Sequence, residues 1–219
     1  MLNATVLNNN IDIKPLEDLI LRDGKIIPVP FDVLNQFPQE TLSLFCHKHA
    51  IYQLPTTELI DFIKNEIGDL SVIEIGSGNG CIGRSLGIKM TDNKMQLRPE
   101  VKMIYDLQRQ PIINYGGDVE ELDAIRAVEK YYPKAVVACW VTHKWREGMS
   151  VGNMYGIEEE QLFENRVEKY IHVGNELTHS QKPILTKYQV QRYQFPWLVS
   201  RSMSREQNVI YVFTNKVLQ

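Results

Sequence analysis

Hydrophobic positions recur along this chain in two alternating rhythms. In YQLPTTELIDFIKNEIGDL, Leu59, Ile60, Ile63 and Ile67 fall at helical spacing. Thr56 or Thr57 caps the start of that helix after Pro55, and Gly68 ends it. SVIEI, directly after, is a strand by its β-branched content. GIKMTD reads as a second strand and PEVKMIYDLQRQ as the next helix, with Val101, Ile104, Tyr105 and Gln108 on one stripe. PIINYGGD reads as a third strand ending in a turn. DVEELDAIRAVEKYYP follows as a helix: Asp118 caps it, Glu121 completes a capping box, and Leu122, Ile125 and Val128 form its buried stripe. KAVVACWVTH is almost continuously apolar, as expected for a fourth strand buried on both faces of a parallel sheet. EEEQLFENRVEKY is a further helix and YIHVGN a fifth strand. PWLVSRSM and NVIYVFT close the chain as an antiparallel pair joined by SREQ.

Strands and helices alternate, and then two strands come together. That order predicts an α/β fold with an open, mostly parallel sheet, helices on both faces and an antiparallel C-terminal strand. Ligands of such sheets sit beyond the carboxyl ends of the strands, so the chemistry is sought just after each strand. Residues 1–53 read as a partly helical N-terminal extension and 54–219 as the α/β domain. Within the extension, LRDGKIIPVPFDVL favours a turn and an extended segment through Gly24, Pro28 and Pro30. PQETLSLFCHKHA reads as a helix with Leu42, Phe45 and His49 on one side.

Composition narrows the function classes. With 43% hydrophobic and 23% charged residues, the chain is an ordinary globular one. Its net charge of −3 gives no electrostatic argument for nucleic acid or an anionic membrane. Cys46, Cys81 and Cys139 are far apart and form no C-x-x-C pair, which argues against zinc or a disulfide framework and suits a reducing compartment. His47 and His49 are two apart and do not share a helix face, so no metal site is expected. The N-terminus has no basic region leading into an apolar run, and no stretch approaches the ~20 apolar residues that span a bilayer. The expectation is a soluble, cytoplasmic protein without a membrane partner.

SVIEIGSGNGCIGRSL carries the candidate chemistry. A strand turning tightly into a helix needs residues without a side chain, and glycine also lets a ligand approach the backbone. One register, Gly78-x-Gly80-x-x-Gly83, has the form of a dinucleotide fingerprint, but Gly78 lies two residues beyond the end of the strand, where the first glycine should stand. The other register is Glu74-x-Gly76-x-Gly78-x-Gly80, with the acidic residue at the last inward position of the strand. In this register VIEIGSGNG resembles the first motif of class I S-adenosylmethionine-dependent methyltransferases, which have a Rossmann-like sheet. Gly83 then becomes a close-packing position in a short helix.

The resemblance implies S-adenosylmethionine as cofactor. It places Glu74, Gly76, Ser77, Gly78, Asn79 and Gly80 around the methionine part. It gives Asp92, at the end of the second strand, to the ribose hydroxyls, since a carboxylate accepts two hydrogen bonds from a diol. It gives Asp118, whose bland reading is a helix cap, to the adenine amino group, with Val119 as a wall for the ring. The family's seventh strand is typically inserted antiparallel, which suits the two final strands here.

Tyr52, Pro55 and Thr56 border the same pocket, or form a plain loop and cap. Trp140 and Thr142, after the fourth strand, line a substrate pocket, or Trp140 is core packing. His143 is the candidate general base because its ordinary pKa lies near neutrality. Asn175 and Glu176 line the same mouth, or are a strand-to-helix connection. The fourth strand lacks the Asn/Asp-Pro-Pro-aromatic signature of amino-methylating nucleic-acid enzymes, so the acceptor stays open among small molecule, protein and nucleic acid. Two other readings remain: a non-catalytic methyltransferase-fold binding protein and an NAD(P)-dependent oxidoreductase.

Overall fold

The computed structural model describes residues 8–218; expectations falling on 1–7 and 219 lie outside the described residues. The elements run α1 (Lys14–Ile20), β1 (Leu21–Arg22), β2 (Lys25–Ile26), α2 (Phe31–Leu34), α3 (Gln39–Lys48), α4 (Thr57–Ile67), β3 (Val72–Ile75), α5 (Cys81–Leu86), β4 (Lys89–Asp92), α6 (Pro99–Leu107), β5 (Glu120–Glu121), α7 (Ala124–Tyr131), β6 (Ala135–Cys139), α8 (Glu160–Glu164), β7 (Lys169–Asn175), α9 (Glu176–His179), β8 (Tyr188–Tyr193) and β9 (Asn208–Val217). None of the described helices is long and apolar enough to cross a membrane.

Seven strands form one sheet in the order β5-β4-β3-β6-β7-β9-β8. Neighbours from β5 to β7 are parallel, while β9 runs antiparallel to both β7 and β8. The inserted antiparallel strand agrees with the topology that the glycine motif implied. The chain builds outward from β3 through β4 to β5, then returns to β6 on the other side. Loops leaving β3 and β6 therefore diverge, and a crevice opens between them.

Side chains of β6 alternate between two cores. Ala135 and Val137 pack with α1, α3 and α4, whereas Val136 and Ala138 pack with α7 and α8. A strand covered on both faces has no solvent side, which is why its sequence shows no polar alternation. Residues before α4 share the first of these cores: Leu16, Ile20, Leu34, Leu42 and Phe45 pack with Ile171 and Val212 of the central strands. α4 follows its pattern closely. Thr56 Oγ1 accepts from Leu59 N–H (3.2 Å), Leu59, Ile60, Ile63 and Ile67 are buried, and Gly68 ends the helix at φ +52°.

Four expectations change. Segment 110–116 is not a strand, because Ile113 N–H donates to the Gln96 side chain (2.8 Å) instead of to a ladder. The third strand is the short β5, whose Thr91↔Glu120 and Asp92↔Glu121 pairings take up the residues read as the start of a helix. Asp123, not Asp118, caps α7 by accepting from Arg126 N–H (3.1 Å). PWLVSRSM is a loop rather than a strand, buried at 198–200: Leu54 N–H and Gln53 Nε2 both donate to Val199 O (2.9 Å each). The partner of β9 is instead β8, YQVQRY, an edge strand too polar to stand out by pattern. Finally, α6 buries Val101, but Ile104 is 49% exposed and Met103 and Leu107 also face outward.

Candidate functional site

A cavity of about 280 Å³ opens at the carboxyl ends of β3, β4 and β6. That volume is near the lower end of small-molecule sites. The loop after β3 forms its floor. Gly76, Gly78 and Gly80 have φ of +58°, +56° and +77°. At Gly76 the requirement is double: besides the left-handed backbone, a Cβ there would lie 2.5 Å from Val141 Cγ2. The loop is tied to β4, with Ser77 N–H donating to Thr91 O (3.0 Å) and Ser77 Oγ accepting from Thr91 N–H (3.1 Å).

Two buried carboxylates face this cavity. Glu74 is 1% exposed, and its Oε2 accepts from Gly83 N–H (2.9 Å). The close approach explains Gly83: a Cβ there would lie 2.5 Å from both Glu74 Oε2 and Met90 Cγ. Burial pushes the Glu74 carboxyl up to about 8, outweighing the bonds from Gly83 and Ser77 that favour the ion. Asp92, 7% exposed, accepts from Gly78 N–H at Oδ2 (2.9 Å) and from Lys94 N–H at Oδ1 (2.7 Å). Burial raises its pKa as well. Among the described residues lining the cavity there is no Lys, Arg or His. Arg84 and Lys94 act on Glu74 and Asp92 only through space, and neither carboxylate forms an ion pair among the described residues, which leaves both able to favour a positively charged ligand. Each Asp92 oxygen, holding one N–H, keeps acceptor capacity for a diol. The donor set therefore fits a group that carries both a cationic amine and a ribose.

The opposite wall is aromatic and amide-bearing. Trp140 adopts φ +58°, its N–H donates to Val173 O (2.8 Å), and its indole Nε1 donates to Gln53 Oε1 (3.4 Å). Tyr52 and Tyr105 touch through their hydroxyls (3.2 Å), and Gln96 Nε2 donates to Tyr105 Oη (2.9 Å). Thr142, Tyr115, Asn153 and Tyr155 also line the cavity.

The structure thus brings Tyr52, Glu74, Gly76, Ser77, Gly78, Asn79, Asp92, Trp140 and Thr142 to one cavity. Other candidates stand elsewhere. Asp118 forms a bidentate pair with Arg84 (2.8 and 2.7 Å), which holds its carboxyl down at about 2. Val119 and Gly80 pack on each other: a Cβ on Gly80 would lie 3.0 Å from Val119 Cγ2. Thr56 caps α4 and donates to Trp197 O (3.1 Å), while the Pro55 carbonyl accepts from Val29 N–H (3.3 Å). His143 is only 5% exposed. Its Nε2 lies 3.3 Å from Val151 O, and it does not line the cavity, so nothing in the geometry makes it a base. Asn175 caps α9 and bonds Asn208 (2.9 Å), and Glu176 pairs with Arg192.

Pattern reading missed Gln53, Gln96, Tyr105, Tyr115, Asn153 and Tyr155. Only tertiary contacts bring these loop and helix residues together. The N-x-Y-G run at Asn153–Gly156 was the sole local hint: the chain doubles back there, and a Cβ on Gly156 would lie 2.2 Å from His143 O.

No family model matches the chain. A release factor glutamine methyltransferase from Pasteurella multocida (strain Pm70) is 28% identical over 100 residues, covering 41% of this chain and 33% of that relative. The chain thus matches about a third of that protein's length. Among solved structures, an rRNA methylase from Streptococcus thermophilus superposes with a TM-score of 0.39 at 13% identity, covering 73% of this chain and 94% of the other. A putative methyltransferase, yhhF, from Escherichia coli gives 0.37 at 10% identity, covering 74% and 87%. Superpositions this loose carry no weight for function.

Proposed function

We propose that this protein is an S-adenosylmethionine-dependent methyltransferase. The observation that carries the reading is that Glu74 and Asp92, both buried and neither in an ion pair among the described residues, line one cavity beside a glycine loop. The partial match to a methyltransferase supports it.

S-adenosylmethionine, when bound, supplies a methyl group on a positively charged sulfur. Glu74 would favour the ammonium of the methionine part, and Asp92 would accept from the ribose hydroxyls. The left-handed backbone at Gly76 and Gly78 brings main chain, rather than side chains, against the ligand. Trp140, Tyr52 and Thr142 would shape the acceptor side and exclude water from it. Alignment of acceptor and methyl carbon is then the chief source of rate, since in-line displacement needs no covalent intermediate. The acceptor itself is a small molecule, protein or nucleic acid. The three free cysteines favour a reducing, cytoplasmic setting.

Calorimetry with S-adenosylhomocysteine, NAD and NADP tests the reading. Binding of the first alone is expected; failure to bind it sinks the proposal. Binding without methyl transfer to any acceptor offered favours a non-catalytic binding protein.

A further inference from the structure

Behind the Trp140–Thr142 wall lies a buried polar group that the proposed chemistry does not use. Lys182 Nζ donates to Glu159 Oε1 (2.7 Å) and to the carbonyl of Val141 (2.7 Å). Glu159 Oε1 also accepts from the Tyr170 hydroxyl (2.7 Å). His172 Nε2 lies 3.0 Å from the same Val141 oxygen. A carbonyl only accepts, so that nitrogen carries a ring proton in either the neutral or the charged form. Burial and the Lys182 charge favour the neutral form. The ion pair is 0% and 1% exposed at its two side chains.

Val141 is therefore held at both ends. Its carbonyl sits between Lys182 and His172, and its side chain abuts Gly76 of the ligand loop. Trp140, immediately before it, keeps a left-handed backbone that a bulky residue adopts only when its surroundings impose it. An interior ion pair is a poor device for stability, because apolar side chains of similar volume do as well or better. What it supplies here is a directed contact to one carbonyl oxygen.

We propose that the Lys182–Glu159 pair, supported by Tyr170 and His172, is a positioning device that sets the Trp140–Thr142 wall of the cavity. None of the four lines the cavity, so they act through Val141. The proposal rests on the methyltransferase reading only in its choice of ligand probe.

Lys182→Met alone strands a buried carboxylate and is expected to unfold easily. The decisive variant is Lys182→Met/Glu159→Gln, which removes both charges and leaves Tyr170 an acceptor. Amide hydrogen exchange by mass spectrometry and S-adenosylhomocysteine affinity are measured beside the melting temperature. The double variant should recover most of the stability lost in the single one. Its amides in 140–145 should still exchange at least tenfold faster than wild type, with β7 and β9 unchanged, and the ligand should bind at least tenfold more weakly. A merely structural pair would restore exchange and affinity together with stability, and that result overturns the proposal. If the double variant does not fold, Tyr170→Phe decides: faster exchange confined to 140–145 supports the device, and unchanged exchange rejects it. Should wild type fail to bind the ligand, the methyltransferase reading falls, while the exchange data still decide the role of the pair.

Discussion

Ligand affinity at this site should depend on pH through Glu74. Its carboxyl is pushed up to about 8 by burial, against an ordinary value of 4.5. Near pH 6.5 the ligand-free protein therefore holds Glu74 mostly protonated. An ammonium placed beside it favours the carboxylate, so binding must expel one proton. Ionising the group at that pH costs about 2 kcal/mol, at ~1.4 kcal/mol per pH unit of distance from its pKa. Affinity for S-adenosylhomocysteine should thus rise about tenfold from pH 6 to pH 7 and level off near 8. Titration calorimetry in buffers of different ionisation enthalpy counts the proton directly, with close to one released at pH 6.5. In Glu74→Gln the affinity should be lower at pH 8 and flat with pH. A wild-type profile that is flat from pH 6 to 8, with no proton released, would refute this account. The same shift acts on folding. The native state holds the proton more tightly than the unfolded chain, so the contribution of Glu74 to stability declines as pH rises from 4.5 to about 8.

Asp92→Ala removes the acceptor for the Gly78 and Lys94 N–H groups (2.9 and 2.7 Å) and should weaken ligand binding at least tenfold by calorimetry; an unchanged Kd would remove Asp92 from the site. Gly83→Ala places a Cβ 2.5 Å from Glu74 Oε2 and Met90 Cγ. It should cost about 1–3 kcal/mol in urea unfolding, and an unmoved midpoint would contradict the close packing seen there. Thr56→Ala loses the cap of α4 and should cost about 1 kcal/mol while leaving Kd untouched. Altered affinity at unchanged stability would instead return Thr56 to the pocket rim.

Local rules were enough for much of the chain. α4 could be read residue by residue because its helical period, cap and terminal glycine all act within a few positions. β3, β4, β6 and β7 were legible because β-branched or continuous apolar runs admit few other placements. Glu74 and the glycines after it were legible because a tight strand-to-helix turn tolerates few residue types. The misread segments share a cause: their backbone partners are distant. Residues 110–116 bond the Gln96 side chain, 197–200 bond Gln53 to Thr56, and Glu120–Glu121 pair with β4, none of which leaves a periodic trace. The same holds at the site. Asp118 occupies a plausible motif position, but Arg84 reaches it first, and His143 turns toward the 151–156 excursion. The amino-acid sequence by itself determined the central strands β3, β4, β6 and β7, the helix α4 and the ligand loop, since these follow from burial and backbone geometry over short spans. Which polar side chains meet across the cavity, and that Val141 is gripped from behind by an ion pair, only the tertiary structure decided, because those contacts join residues tens of positions apart.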